Sequence, residues 1–165
     1  MMMVPSDAEL EALARRLGEQ LRSHGETLVL AESCTGGWIA KIVTDLPGSS
    51  AWFDRGFVTY SNGAKIRQLG VDPALIEAFG AVSEQTVTAM AIGALDHSDA
   101  SLAIAVSGIA GPGGGVPDKP VGTIWLAWAR PGRDVQARHH SLAGDREAIR
   151  RQAVALALTG AIHCF

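Results

Sequence analysis

Two uninterrupted apolar runs, Leu28-Val29-Leu30 and Leu102-Ala103-Ile104-Ala105-Val106, constrain the fold of this chain more than any other feature. Neither alternates with polar residues, so neither has a side to give to water. The pattern is that of strands buried on both faces, which occur in sheets covered by helices above and below. The first run is read as a strand over Thr27 to Ala31 and the second as a central strand.

The segments between and around these runs alternate in kind. Ser6 and Glu9 have capping-box spacing, Leu10, Leu13, Leu17 and Leu21 mark one helical face, and Gly25 supplies a stop. A second helix is expected to start near Ser33 to Thr35, carry Trp38, Ile39 and Ile42 inward, and end at Pro47-Gly48. Trp52 to Tyr60 reads as a strand. Asn62 to Leu69 is helical and ends at Gly70. Asp72-Pro73 opens a short helix that ends at Gly80, and Ser83 caps a longer one carrying Val87, Met90, Ala91, Ala94 and Leu95. Val121 to Ala129 and Val135 to Ser141 are strands joined by the turn ARPGRD, and Asp145 caps a last helix through Leu158. Interleaved helices and strands with a closing hairpin predict an α/β fold: a three-layer α/β/α sandwich with a mixed, mostly parallel sheet of about five strands. Without repeats or a linker, residues 1–165 are expected to form a single domain.

Bulk properties exclude several classes of function. A formal net charge of -3, with Arg15-Arg16 and Arg150-Arg151 as the local basic pairs, argues against nucleic-acid binding, which needs clustered cations. No apolar run is long enough to span a bilayer, and MMMVPSDAEL lacks the regions of a signal peptide, so a cytoplasmic setting is the default. Cys34 and Cys164 have no metal-ligand spacing and are too few for a disulfide framework.

Ligands of such sheets bind beyond the carboxyl ends of strands. Two loops qualify, ESCTGG after the first strand and SGIAGPGGG after Val106, and they should share one edge. In ESCTGG the glycines at 36 and 37 cost a helix about 1 kcal/mol each relative to alanine, a cost offset if a ligand approaches the backbone there. Ser33 has two readings. It is an ordinary helix N-cap, or it attacks a carbonyl while nearby N–H groups hold the oxyanion. Cys34 reads as a small buried hydrophobe, and Glu32 as a local hydrogen-bonding group or a pocket residue. His24, His97, His139, His140 and His163 accompany no recognisable acid partner, which leaves a Ser-His-Asp triad unsupported. Lys65 follows TYSN, where Tyr60 can enter the same pocket; taken alone it is a solvated helix residue, but burial would make it a base. SGIAGPGGG is neither a Walker A loop nor a dinucleotide fingerprint, and offers free N–H groups suited to an anion.

Taken together, AESCTGGWIAKIVTDLPGSSAWFDRGFVTYSNGAK, GAVSEQTV and AVSGIAGPGGGVPDKPVGTIW resemble the carboxy-terminal domain of the competence/damage-inducible CinA proteins, from about Leu10 to Leu158. In stand-alone form that family is nicotinamide-nucleotide amidase. The resemblance implies hydrolysis of nicotinamide mononucleotide to nicotinate mononucleotide and ammonia, in pyridine nucleotide salvage, with no metal or other cofactor. It implies a nucleophile at Ser33, a base at Lys65 and an assisting group at Tyr60. Thr35, Gly36 and Gly37 would supply oxyanion or substrate-binding N–H groups; Ser107, Gly108 and Gly111 would line the nucleotide pocket. Arg146 and Arg150 would meet the phosphate or a second subunit. Gly63 departs from the family pattern, where an acidic residue is expected in SNxAK, and could loosen Lys65. A homodimer is expected, in keeping with the apolar strands and exposed-looking tryptophans. The alternative is a non-catalytic module that binds a nucleotide or a competence-related partner with the same loops.

Overall fold

The computed structural model describes residues 3–165. β1 (Leu28–Glu32) and β3 (Leu102–Gly108) lie side by side in the middle of a five-stranded sheet. Outside them lie β2 (Phe53–Val58), β4 (Thr123–Ala129) and β5 (Gln136–Ser141), in the order β2-β1-β3-β4-β5. β1 pairs in parallel with β2 and β3, whereas β4 is antiparallel to both β3 and β5. Four of the five strands therefore point the same way, and the sheet is mixed but mostly parallel.

The period of two along each strand sorts the core into two halves. Leu28, Leu30, Leu102, Ile104, Ile124 and Leu126 pack beneath α1 (Asp7–His24), α2 (Trp38–Thr44) and α6 (Arg146–Ile162). Val29, Ala31, Ala103, Ala105, Ala127 and Ala129 face α5 (Glu84–Asp96), with α3 (Asn62–Leu69) and α4 (Pro73–Phe79) beside it. This is the three-layer arrangement the alternation of elements predicts. Small side chains line the second face, and α5 and α3 also approach each other closely. A Cβ on Gly93 would lie 2.0 Å from the carbonyl oxygen of Leu69. Gly93→Ala should therefore destabilise despite its better helix propensity, by about 2 kcal/mol for an overpacked contact that only backbone movement relieves. A thermal melt should show a midpoint lower by roughly 4–8 °C. Gly63→Ala, where a Cβ meets the movable end of Arg67, should not lower it.

The structure corrects two expectations. α2 begins at Trp38 rather than between Ser33 and Thr35, because Gly36 and Gly37 take left-handed φ values of 61° and 95° that a helix cannot run through. The tryptophans are not surface groups: Trp52 and Trp128 are buried, Trp128 donating from Nε1 to the Ala157 carbonyl, and Trp38 and Trp125 are half-buried. Among the described residues no helix is long and apolar enough to cross a membrane.

Candidate active site

β1 ends at Glu32, so Ser33 is the first residue past the carboxyl edge of the sheet. Its N–H donates to the Val106 carbonyl (3.1 Å), which ties the turn after β1 to the end of β3. On the other side, Thr59 N–H donates to the Glu32 carbonyl (2.9 Å), fixing the chain as it leaves β2. Ser61 then caps α3, accepting from Ala64 N–H at 3.0 Å, and the first turns of that helix bring Lys65 back under the edge.

Lys65 and Ser33 meet there. The lysine Nζ lies 3.0 Å from Ser33 Oγ, 2.8 Å from the Thr59 carbonyl oxygen and 3.2 Å from that of Tyr60. Lys65 is 1% exposed and Ser33 8%. Among the described residues no carboxylate pairs with this amine, and burial lowers its pKa below the ordinary lysine value. All three neighbours of Nζ are neutral oxygens. A neutral amine has two N–H groups for the two carbonyls and one lone pair left for the serine hydroxyl, so the geometry suits a base. Gly63, the departure from the family pattern, sits in the first turn of α3 without disturbing these contacts.

Glu32 stands immediately behind the serine, 1% exposed. Its carboxylate accepts from Thr35 Oγ1 (2.7 Å), Ile39 N–H (2.9 Å) and Ala40 N–H (3.0 Å). Ile39 and Ala40 are in the first turn of α2, so Glu32, reaching forward from the strand, does the capping that was one of the two readings of Ser33. That frees the serine hydroxyl. Burial raises the Glu32 pKa against the lowering effect of these hydrogen bonds. Cys34 lies beside it, and burial first, then the Glu32 charge, pushes its thiol up to about 12. At neutral pH it is a protonated small side chain rather than a nucleophile.

A cavity of about 270 Å³ opens in front of Ser33 and Lys65. Cys34, Tyr60 and Asn62 form one wall, Ala81 and Val82 from the α4–α5 connection form another, and Ser107 to Gly111 with Gly113 and Gly114 form the third. Ser107 Oγ donates to the Ala81 carbonyl (2.8 Å), joining two of these walls. A Cβ on Gly108 would come within 2.9 Å of the Thr123 carbonyl oxygen and 2.2 Å of Ile124 Cδ1, so a side chain there would press on main chain that cannot move aside cheaply. Arg146 stands over the mouth, donating to the Gly111 carbonyl (2.6 Å) and to Tyr60 Oη (3.1 Å). Among the described residues the N–H groups of Ala110, Gly111, Gly113 and Gly114 donate to no protein acceptor. None of the five histidines lines the cavity, and no cluster of His, Cys, Asp or Glu among the described residues could hold a metal ion.

A profile of the CinA C-terminal domain matches residues 10–165. The chain belongs to this family. It is similar to the nicotinamide-nucleotide amidohydrolase PncC of Escherichia coli K12, 52% identical over 93% of each chain. It is also similar to the protein of that name from Pseudomonas putida, 55% identical over 92% of this chain and 94% of the other. Among solved structures, the competence/damage inducible protein CihA of Agrobacterium tumefaciens superimposes with a TM-score of 0.92 at 46% identity, covering 99% of this chain and 98% of that one.

Within this CinA domain the expected site residues fall into two groups. Ser33, Lys65, Tyr60, Ser107, Gly108, Gly111 and Arg146 share the cavity. Tyr60 meets Lys65 through its carbonyl, while its hydroxyl faces Arg146. Thr35, Gly36, Gly37 and Arg150 do not share it: they line a shallow neighbouring depression with Trp38 and Lys41. The reason is the turn itself. Gly36 N–H is spent on the Ser33 carbonyl (3.0 Å), Gly37 N–H faces the Glu32 carboxylate, and the Thr35 hydroxyl is held by the same carboxylate. Arg150 donates from Nε to the Cys34 carbonyl and from Nη2 to that of Thr35, each at 3.0 Å. Sequence reasoning left Glu32 undecided and missed Asn62, Ala81 and Val82. The last two had one signal, a two-residue gap between the stop at Gly80 and the cap at Ser83.

Proposed function

We propose that this CinA domain, acting as one amidase unit over residues 1–165, hydrolyses nicotinamide mononucleotide to nicotinate mononucleotide and ammonia, with Ser33 as nucleophile and Lys65 as base. The observation that carries this reading is the buried Lys65 amine, 3.0 Å from Ser33 Oγ, with two carbonyls to occupy its N–H groups. The names of the relatives from E. coli and P. putida support the substrate.

Lys65 in its neutral form accepts the Ser33 proton as Oγ bonds to the carboxamide carbon, and the carbonyl oxygen becomes an oxyanion. The resulting ammonium then gives that proton to the leaving nitrogen, the C–N bond breaks, and ammonia departs from an acyl-serine. Water attacks the ester, passing one proton to Lys65, which returns it to Ser33 Oγ as the ester bond breaks; the carboxylic acid product gives its remaining proton to solvent and leaves as the carboxylate. Tyr60 assists by orienting the amine through its carbonyl. Arg146 and the unbonded N–H groups of Ala110, Gly111, Gly113 and Gly114 suit the nucleotide phosphate at the mouth. The same reading extends, on the family resemblance, to a cytoplasmic homodimer in pyridine nucleotide salvage.

Incubating the protein with nicotinamide mononucleotide should release one equivalent of ammonia per nicotinate mononucleotide formed. A nucleotide-dependent thermal shift without ammonia would favour the non-catalytic module instead.

A further inference from the structure

An oxyanion at Ser33 needs N–H donors, and the turn that follows the serine has few to spare. Gly36 and Gly37 use theirs within the turn. Among the described residues the N–H groups of Cys34 and Thr35 have no acceptor on another residue. What sets their direction comes from the far end of the chain. The Arg150 guanidinium, 5.2 Å over the Trp38 ring, reaches from α6 to the carbonyls of Cys34 and Thr35 with Nε and Nη2. In a trans peptide the N–H points opposite to the C=O. Holding the Cys34 carbonyl therefore turns the Thr35 N–H away from α6, and holding the Thr35 carbonyl orients the Gly36 N–H that closes on Ser33. Glu32 holds the same turn from the other side, through the Thr35 hydroxyl and the start of α2.

We infer that Arg150 is a positioning residue: it clamps the Ser33–Gly37 turn through two main-chain carbonyls, so that Gly36 N–H closes on the Ser33 carbonyl and the Cys34 N–H of that same peptide is pre-aimed at an oxyanion in the cavity. This rests on the amidase reading and replaces a direct contact between Arg150 and the phosphate. A turn containing two left-handed glycines has little stiffness of its own. The planar guanidinium fork supplies it, at a geometry that a lysine ammonium does not match.

The test is steady-state kinetics of Arg150→Met and Arg150→Lys on nicotinamide mononucleotide, with calorimetric binding of nicotinate mononucleotide to each. Losing an oxyanion donor outright costs roughly 10²–10³ in kcat, so a misaimed one should cost about 10–100-fold. Arg150→Met should show that fall in kcat, with KM within about threefold of wild type and product affinity unchanged. Arg150→Lys should lie between the two. A phosphate ligand would behave in the opposite way, with KM raised, product binding weakened and kcat kept, and that result overturns the inference. So does wild-type kcat in Arg150→Met. Should Arg150→Met melt below the assay temperature, Arg150→Lys decides alone: wild-type kcat there sinks the clamp. An inactive wild-type protein would remove the amidase reading and this inference together, whereas an active wild type beside an undamaged variant removes the inference only.

Discussion

Ser33→Ala is expected to lower ammonia release from nicotinamide mononucleotide by about 10⁴-fold or more, the scale of losing a nucleophile whose partners cannot replace it. The Ser107 hydroxyl, which also lines the cavity, is engaged with the Ala81 carbonyl. The Cys34 thiol is held protonated by a pKa of about 12, and the Thr35 hydroxyl donates to Glu32. The fold should barely notice the change. Ser33 caps no helix, its N–H bond to Val106 involves only the main chain, and a neutral Lys65 retains both of its carbonyl partners. Calorimetry should therefore show nucleotide binding close to that of the wild type, while a coupled ammonia assay shows loss of turnover. Wild-type-like turnover in this variant would refute the nucleophile assignment.

Lys65→Met should separate activity from stability in the opposite sense to an ordinary core substitution. Turnover should fall by about 10²–10⁴, the usual contribution of a positioned general base. Stability should change little, because relieving the desolvation of a buried amine that lacks a carboxylate partner offsets the two hydrogen bonds lost at the Thr59 and Tyr60 carbonyls. Two pH effects follow from the lowered pKa. In the wild type kcat/KM should rise with pH as the amine loses its proton, with an inflection below the ordinary value of 10.5. The unfolded chain binds this proton over the interval between the folded value and 10.5, while the folded chain does not. Stability from this group therefore rises with pH across that interval. Both the activity limb and that stability slope should vanish in Lys65→Met. A variant that keeps the limb would assign it to another group.

Much of this molecule is readable from the chain itself. The capping box at Ser6, the stops at Gly25, Gly70 and Gly80, and the caps at Asp72, Ser83 and Asp145 are local devices whose chemistry acts within three or four residues. The apolar runs at Leu28 and Leu102 are equally self-sufficient, since a strand without a polar side needs cover on both faces. Two loops, ESCTGG and SGIAGPGGG, could also be assigned to one edge, and the family resemblance added the segment around Lys65 to the expected site. The start of α2 is different. A serine before a helix is an ordinary cap, and nothing local announces that a glutamate at the end of the preceding strand will fill the role.

Sequence alone therefore determined the elements and the layering, which depend on interactions between near neighbours, while the resemblance to the CinA family singled out Ser33 and Lys65 as the proposed reacting groups. The tertiary structure decided their relations. It placed an amine and a hydroxyl 32 residues apart within 3.0 Å, removed water and counter-charge from that amine, and brought Arg150 across to the turn at Cys34 and Thr35. Those outcomes depend on burial and on the direction of main-chain groups at sites far apart in the chain, which only the packed fold brings together.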